Sequence, residues 1–545
     1  MEQNTQLWLL PTADTHSMTL APGEGKSFSF IECFDGKFSY EIWLRYNAPK
    51  DTKLGLYVNG KTIYEYMTVD ASDETIWRLF GNFQVVKGEH QLEIRNNDDI
   101  PFYAEAAIVT RDSGYIRRGT ADEHRIEIMK GRNIDDIFKE SGMKFSEEEP
   151  EDVKKARIAM LYKQGFVERE NQDAAENQCR NGVPLGGVGT GKIELDSDGV
   201  FTAITINNNF DVPLYKTEGS FFAIKCGNSA KILQKVNYND FAFPTVESIE
   251  FEGLFPTAKL KYSDPEIPVN VSLSAYSFLP HDDVKNSVVP AAVFEFTVEN
   301  PTEKSQNVSL LSSFENLLGT GGSMGLKSKD DNGRASFVMN TWNPGFTWSD
   351  RTGTYQEKIS ENSLSYKINT QSKNPQSVGD YTLLCLTDSC RVKRSWRIRN
   401  GGELWDEFLS GTFTDNGYVG AEDNAEGGYD YVAGAICADF ELAAGETKTV
   451  TFIFAWNMPH FIDIHDKDIG VYYSNFFTSS QDVAKYVAEH KDEIYARTTE
   501  IQNVLKKSSL PDWLKTKLIN DMFPIVTCSW FDKAGIFRST KRRPA

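Results

Sequence analysis

Short runs of alternating apolar and polar residues fill the first 117 residues, and this period of two predicts β-strands. Asn59-Gly60 and Lys87-Gly88 are dipeptides typical of turns, so each is expected to join two strands. This pattern predicts a jelly-roll β-sandwich over 1–117. The individual strands are expected at 38–46, 54–58, 83–86 and 90–95.

The pattern changes after this region. Helical spacing at 134–145 and 152–166, separated by an acidic run, predicts a helical connector over 118–178. Alternation then returns over 179–476 and predicts a large two-sheet β-sandwich, so the chain as a whole is expected to be mainly β. Clear strand patterns in this second region lie at 269–275, 291–298, 308–312 and 447–454.

Helical spacing dominates the end of the chain, 477–545. Ser479 and Asp482 form an N-cap pair for a first helix. A second helix is predicted over 510–523, and Pro524 should kink it. A strongly apolar helix here needs a surface to pack on, which predicts a partner chain or further helices. The first helix has apolar-face positions at Val483, Val487, His490, Ile494, Ile501 and Leu505, and the second has Trp513, Leu514, Leu518 and Met522.

Charge and composition exclude several classes of partner. Lys and Arg number 58 against 78 Asp and Glu, a net charge of −20, which disfavours nucleic acid and anionic membranes. Residues 1–11 lack the features of a signal peptide, and no apolar run is long enough to span a membrane, so a cytoplasmic protein is expected. The seven scattered cysteines favour reduced thiols.

A glycine-rich segment at 182–192 has the spacing of a phosphate-binding loop up to Lys192. The next position should be Ser or Thr to hold Mg²⁺, but it is Ile193. The residues that follow alternate around Ser197-Asp198-Gly199, which predicts a β-hairpin rather than the helix that would hold a phosphate. The segment is therefore interpreted as a close-packed turn, and Lys192 as an ordinary strand residue.

No metal, cofactor or serine nucleophile is predicted. The histidines and aspartates at His460, Asp463, His465 and Asp466 match no common zinc spacing. The runs at 196–199 and 329–333 begin like calcium loops but lack the distal Glu, so Asx-Gly turns are expected. No nucleophile-elbow motif is present.

The order of elements in the first region resembles carbohydrate-binding jelly rolls, which stack sugar rings on exposed aromatics. Core packing is the alternative for every one of these aromatic residues. The candidates for carbohydrate contact are Tyr57, Tyr64, Tyr66, Trp77 and Tyr103 in this region, and Trp342 and Trp348 in the second β region.

Four segments in order resemble glycoside hydrolase family 116, which includes bacterial β-glucosidases and non-lysosomal glucosylceramidases. They are NGVPLGGVGTGKIELDSDGVF at 181–201, the long segment at 254–319, LAAGETKTVTFIFAWNMP at 442–459, and SSLPDWLKTKLINDMFPIVTCSWF at 508–531. The resemblance implies a β-sandwich followed by an (α/α)₆ barrel that hydrolyses β-linked glucosides with retention. The first region lies outside it and is interpreted as an appended module.

Catalysis in this family implies a Glu nucleophile and an Asp general acid/base on the barrel, with carboxyl groups about 5–5.5 Å apart. The resemblance places both beyond Ala545, so no catalytic residue is assigned in this sequence. The leading hypothesis is the N-terminal portion of such a glycosidase. The alternatives are a stand-alone carbohydrate-binding or assembly protein that docks a partner through its C-terminal helices, and a hydrolase that uses carboxylates within 1–545.

Overall fold

The computed structural model describes residues 18–110, 135, 144–151 and 182–539. Contacts divide the chain into two compact units, Met1–Gly142 and Met143–Ala545. The predicted connector helices lie almost wholly outside the described residues. Within 182–539 the description omits 210–212, 215–216, 236–242, 282, 325, 330–334, 339–345, 350, 370–374, 388, 421–430, 463–466 and 528.

The first unit contains one antiparallel sheet of six strands. They are β1 (Met18–Leu20), β2 (Gly25–Ala48), β3 (Thr52–Val58), β4 (Lys61–Val69), β5 (Ser72–Asn96) and β6 (Phe102–Thr110), in the order β1-β6-β2-β5-β3-β4. One face of the sheet encloses a hydrophobic core, because alternate side chains of each strand point the same way. Its fully buried members include Ile42, Leu44, Leu54, Leu56, Leu92 and Ile94.

One of the two predicted turns in this unit is wrong. Lys87-Gly88 lies inside the continuous strand β5, and the irregularity is a bulge in which Glu32 pairs with Gly88 and Lys37 with Val86. The extra residues, 33–36, are therefore on β2, and they include Asp35-Gly36, which is itself a dipeptide typical of turns. The Asn59-Gly60 turn is confirmed, with φ of 53° and 72°, the positive values that this hairpin turn requires.

The second unit carries most of the strands. In chain order they are β7 (Val183–Leu185), β8 (Ile193–Leu195), β9 (Phe201–Thr202), β10 (Phe221–Cys226), β11 (Ser229–Ile232), β12 (Ser248–Leu254), β13 (Thr257–Ser263), β14 (Asn270–Tyr276), β15 (Ala291–Glu299), β16 (Gln306–Glu315), β17 (Thr320–Met324), β18 (Leu326–Lys329), β19 (Ala335–Val338), β20 (Phe346–Ser349), β21 (Thr354–Ser360), β22 (Ser363–Ile368), β23 (Asp380–Cys385), β24 (Cys390–Arg397), β25 (Val432–Leu442), β26 (Thr447–Asn457), β27 (Ser529–Phe531) and β28 (Phe537–Ser539).

Two large antiparallel sheets of this unit face each other as the predicted sandwich. One has the order β12-β13-β14-β15-β26-β23-β22-β21 and the other β11-β10-β16-β25-β24. Aromatic rings join them: Phe222 of β10 lies 5.1 Å from Phe294 of β15, and Phe314 of β16 stacks at 4.1 Å on Phe454 of β26. These rings form the centre of the largest hydrophobic core.

Helices cover the outer faces of both sheets. The α-helices are α1 (Val284–Ser287), α2 (Gly401–Ser410), α3 (Ser480–Thr498), α4 (Glu500–Lys507), α5 (Asp512–Asn520) and α6 (Pro524–Thr527), with short 3₁₀ turns at Pro375–Ser377, Ile398–Asn400 and Tyr472–Asn475. Helix α3 packs Val483 and Val487 against the eight-stranded sheet, and α2 packs Leu404 and Phe408 against the other. Because both faces are covered, the central strands are apolar along their length rather than alternating.

The C-terminal helices follow the prediction with two differences. The second predicted helix ends at Asn520, so Pro524 begins the short helix α6 and does not kink α5. Ser479 caps α3 as expected, because its side chain accepts a hydrogen bond from the backbone N–H of Asp482. The predicted single helix ends at Thr498, whose hydroxyl donates to the Ile494 carbonyl and accepts from the Leu279 N–H. Such back-bonding favours a break in a helix, and α4 begins beyond it at Glu500.

Candidate functional site

The glycine-rich segment includes β7 and leads to the start of β8, and it is buried from Val183 to Lys192. The indole N–H of Trp456 donates to the Thr190 carbonyl, and the Val188 N–H donates to the Ser287 carbonyl. The predicted hairpin is confirmed, since β8 and β9 pair across a turn at 196–199. There the Asp196 carboxylate accepts hydrogen bonds from the backbone N–H groups of Asp198 and Val200, as expected of an Asx turn.

Lys192 is not the ordinary strand residue that the sequence suggested. It precedes β8, and its buried ammonium contacts the Glu194 carboxylate and donates to the Ala203 carbonyl at 3.0 Å. Burial raises the pKa of Glu194, and the adjacent ammonium opposes that shift. With its ammonium engaged inside the protein, Lys192 cannot serve as a phosphate ligand.

Gly189 and Gly191 fit the segment into this close-packed position. Both have positive φ, 67° and 77°. A Cβ on Gly189 would lie 2.4 Å from the backbone nitrogen of Phe531, and one on Gly191 would lie 2.4 Å from the Thr205 carbonyl oxygen. The segment therefore connects the sandwich to the C-terminal hairpin β27–β28 through backbone contacts that only glycine permits.

The C-terminal helices pack on the sandwich near the hairpin β12–β13. Asn520 accepts a hydrogen bond from the Phe255 N–H at 2.9 Å, and the Gln502 amide donates to the Phe255 carbonyl at 2.7 Å. Leu514 is buried on α5 as expected, and Ile519 is buried beside it. Met522, beyond the end of α5, packs against the core of the sandwich, whereas Leu518 is only half-buried. The surface that these helices need is therefore supplied largely by the same chain, and a docking protein is not the favoured interpretation.

The five predicted aromatics of the first unit differ in exposure. Tyr66 on β4 is 62% exposed and Tyr103 on β6 is 46% exposed. Tyr57, Tyr64 and Trp77 are half-buried, and Tyr64 packs against the core. Trp342 and the side chain of Trp348 lie outside the described residues. All seven stay predictions as carbohydrate contacts.

Sequence reasoning did not single out a polar cluster beside Tyr57. The Arg95 guanidinium lies 5.0 Å from the centre of the Tyr57 ring and donates from two nitrogens to one oxygen of Glu93, at 2.9 and 2.6 Å. The Asn97 amide donates to the Tyr57 hydroxyl at 3.3 Å and to the Glu65 carbonyl at 2.6 Å. Charged residues two apart on a strand are common, so the sequence carried no specific signal for this cluster.

The described residues offer neither a cluster of metal ligands nor a helix that could span a membrane. They contain no group of three or more His, Cys, Asp or Glu side chains that could hold a metal ion. His460 is hydrogen-bonded to Asp468 at 2.7 Å, while Asp463, His465 and Asp466 lie outside the description. The run at 329–333 is likewise largely outside it. No helix in the described part of the chain is long and apolar enough to cross a membrane.

A two-sheet sandwich with helices on both outer faces and a glycine-rich entry segment defines the second unit. Residues 182–494, more than half of the chain, match the family model described as beta-glucosidase 2, glycosyl-hydrolase family 116 N-term. The chain therefore belongs to glycosyl-hydrolase family 116 and carries its N-terminal domain.

Several solved structures are similar to parts of this chain. A kojibiose phosphorylase-like protein from the human microbiome is 11% identical, with 63% of this chain and 35% of that chain covered and a TM-score of 0.25. The GH26-CBM35 β-(1,4)-mannanase of Podospora anserina is 16% identical, with 17% and 20% covered and a TM-score of 0.15. The CBM35 module of Cellvibrio japonicus Abf62 is 15% identical, with 16% and 67% covered and a TM-score of 0.15. The matched part spans about a fifth of the mannanase.

Proposed function

We propose that this chain acts in the hydrolysis of β-linked glucosides as the N-terminal portion of a family 116 glycosidase. In this role the sandwich of residues 179–476 supports a helical catalytic domain that begins with the helices of 477–545. The observation that carries the proposal is the family match over 182–494. The packing of α4 and α5 on the hairpin β12–β13 supports it, because it fixes these helices relative to the sandwich.

The catalytic Glu and Asp implied by the family match no residue of this sequence, so we expect the 545-residue chain alone to leave an aryl β-glucoside unhydrolysed. The assay follows release of the aryl alcohol at several protein concentrations. Turnover that one carboxylate substitution within the chain abolishes would contradict this assignment and support the alternative of a hydrolase with an internal site.

We further propose that the module of residues 1–117 binds carbohydrate, with its exposed aromatics stacking on sugar rings. Tyr66 and Tyr103 support this by their exposure. The test is retardation of the whole chain in native gels that contain a soluble β-glucan. Migration that is the same with and without glucan would contradict it.

We also propose that the protein is located in the cytoplasm, where cysteines stay reduced. This location is supported by Cys226, Cys385, Cys390 and Cys437, none of which forms a disulfide. Cell fractionation with an antibody to the chain tests it, and recovery from the culture medium or periplasm would contradict it.

A further inference from the structure

A flat polar surface occupies the face of the first unit's sheet that points away from its core. We name it the Arg95 platform and define it as Tyr57, Tyr66, Glu93, Arg95 and Asn97. Arg95 and Glu93 alternate on β5 with buried Leu92 and Ile94, which places the charged pair on the opposite face.

Glycines on both sides of Arg95 make room for the platform. The cross-strand partners of Arg95 are Gly25 on β2 and Gly55 on β3. A Cβ on Gly25 would lie 2.3 Å from a carboxylate oxygen of Glu93, and one on Gly55 would lie 2.5 Å from the amide nitrogen of Asn97. The polar side chains therefore lie flat across the sheet, where glycine in a strand often marks close approach of a ligand.

The strand register places the exposed Tyr66 of the platform opposite Gly55. Between the pairs Leu54–Met67 and Leu56–Tyr64 the register shifts, so Glu65 and Tyr66 form a bulge opposite Gly55. The Glu65 carbonyl accepts the hydrogen bond from Asn97, which ties this bulge to the polar cluster. Tyr66, at 62% exposure, can present its ring to a ligand that lies on the platform.

The platform offers both hydrogen-bond donors and hydrogen-bond acceptors to a ligand. Arg95 uses its Nε and one terminal nitrogen on a single Glu93 oxygen, and Asn97 uses both amide hydrogens. Among the described residues, the second terminal nitrogen of Arg95, the second oxygen of Glu93 and the carbonyl oxygen of Asn97 have no partner. One donor group and two acceptors remain, which suits sugar hydroxyls because each hydroxyl both donates and accepts.

We infer that the Arg95 platform binds a neutral oligosaccharide, with Arg95, Glu93 and Asn97 on ring hydroxyls and Tyr66 against a C–H face. A uronic acid is disfavoured because its carboxylate would compete with Glu93 for the guanidinium and would approach a chain of net charge −20. This inference rests on the proposed carbohydrate-binding role of the first unit and adds the residues and the charge class of the ligand.

The test measures retardation of the whole chain in native gels that contain β-glucan, β-mannan, xylan or polygalacturonate. We expect at least one neutral polymer to bind about tenfold or more tightly than polygalacturonate, a difference of about 1.4 kcal/mol. Arg95→Ala and Tyr66→Ala should each weaken the binding of the neutral polymer about tenfold. Glu93→Gln should strengthen polygalacturonate binding, since it releases the guanidinium for a carboxylate.

Arg78→Ala is the matched control for Arg95→Ala, because Arg78 is also an ion-paired arginine on β5. It lies near the other end of that strand, opposite Leu44, and its partner is Asp70 at 3.0 Å. Arg78→Ala should bind like the unchanged chain, and circular dichroism should show that all variants are folded. Equal or tighter binding of polygalacturonate, or neutral binding that Arg95→Ala leaves intact, would overturn the inference but not carbohydrate binding as such. Absence of binding to every polymer would overturn both, whereas the aryl-glucoside assay tests the supporting role of the sandwich separately.

Discussion

At the scale of single residues, Lys192 of the glycine-rich segment forms a buried ion pair with Glu194 of β8, and we expect this pair to affect stability. Lys192→Met leaves the Glu194 carboxylate buried without its partner, which typically costs about 3–5 kcal/mol. The loss should appear as a lower free energy of unfolding in urea at pH 7. It should shrink towards pH 5, because burial raises the folded-state pKa of Glu194 and a carboxyl with a raised pKa loses stability as pH rises.

The double variant Lys192→Met/Glu194→Gln is the control, since it removes both charges and leaves no buried ion. We expect its loss to be clearly smaller than that of Lys192→Met and nearly independent of pH between 5 and 7. Equal losses for the two variants would mean that packing volume, and not the ion pair, determines stability here.

At the scale of elements, Gly189 sets how closely the glycine-rich segment approaches the hairpin β27–β28. Gly189→Ala combines a positive φ with overlap of the new Cβ and the Phe531 backbone, so we expect a loss of more than about 2 kcal/mol. Gly227→Ala is the matched control, because Gly227 has a φ of 59° and no atom within 4 Å of the added Cβ. Gly227→Ala should lower the free energy of unfolding in urea by only about 1 kcal/mol. A similar loss of unfolding free energy for both variants would show that the close contact with Phe531 does not contribute to stability.

The N-terminus of α3 should give a pH-dependent contribution. The Thr478 hydroxyl is the main hydrogen-bond donor that lowers the pKa of Asp482, and the Thr478 and Ser479 groups around it add to this effect. A lowered carboxyl pKa stabilises the fold above the ordinary Asp value and loses that effect as pH falls through the folded-state pKa. Asp482→Ala should therefore cost about 0.5–2 kcal/mol at pH 7 and almost nothing near pH 2–3.

Glu489, an exposed carboxylate in the middle of the same helix, provides the comparison for Asp482. Glu489→Ala should leave the free energy of unfolding unchanged within about 0.5 kcal/mol at both pH values. A pH-independent cost for Asp482→Ala would instead indicate lost packing.

The sequence predicted the elements well where a local signal exists. The Ser479 cap, the Asn59-Gly60 turn and the strand pattern at 291–298 each depend on a few neighbouring residues, and the structure confirms them. At the bulge opposite Lys87 a local signal does exist, Asp35-Gly36 on β2, but only the pairing with β5 shows which strand carries the extra residues. No local signal marks the helix break at Thr498, because the distant Leu279 N–H helps to create it. The Arg95 platform was missed for the same reason, since its glycines belong to two other strands.

At the scale of the whole molecule, each of the two units encloses its own hydrophobic core. Leu56 is fully buried in the first and Leu383 in the second, so truncation of either to Ala should cost about 2–5 kcal/mol. Because unfolding enthalpy scales with size, calorimetry should show a smaller transition for the first unit and a larger one for the second. We expect Leu56→Ala to lower only the smaller transition and Leu383→Ala only the larger. If either substitution moved both transitions together, the two cores would unfold as one cooperative unit, and carbohydrate binding by the first unit would then be coupled energetically to the sandwich.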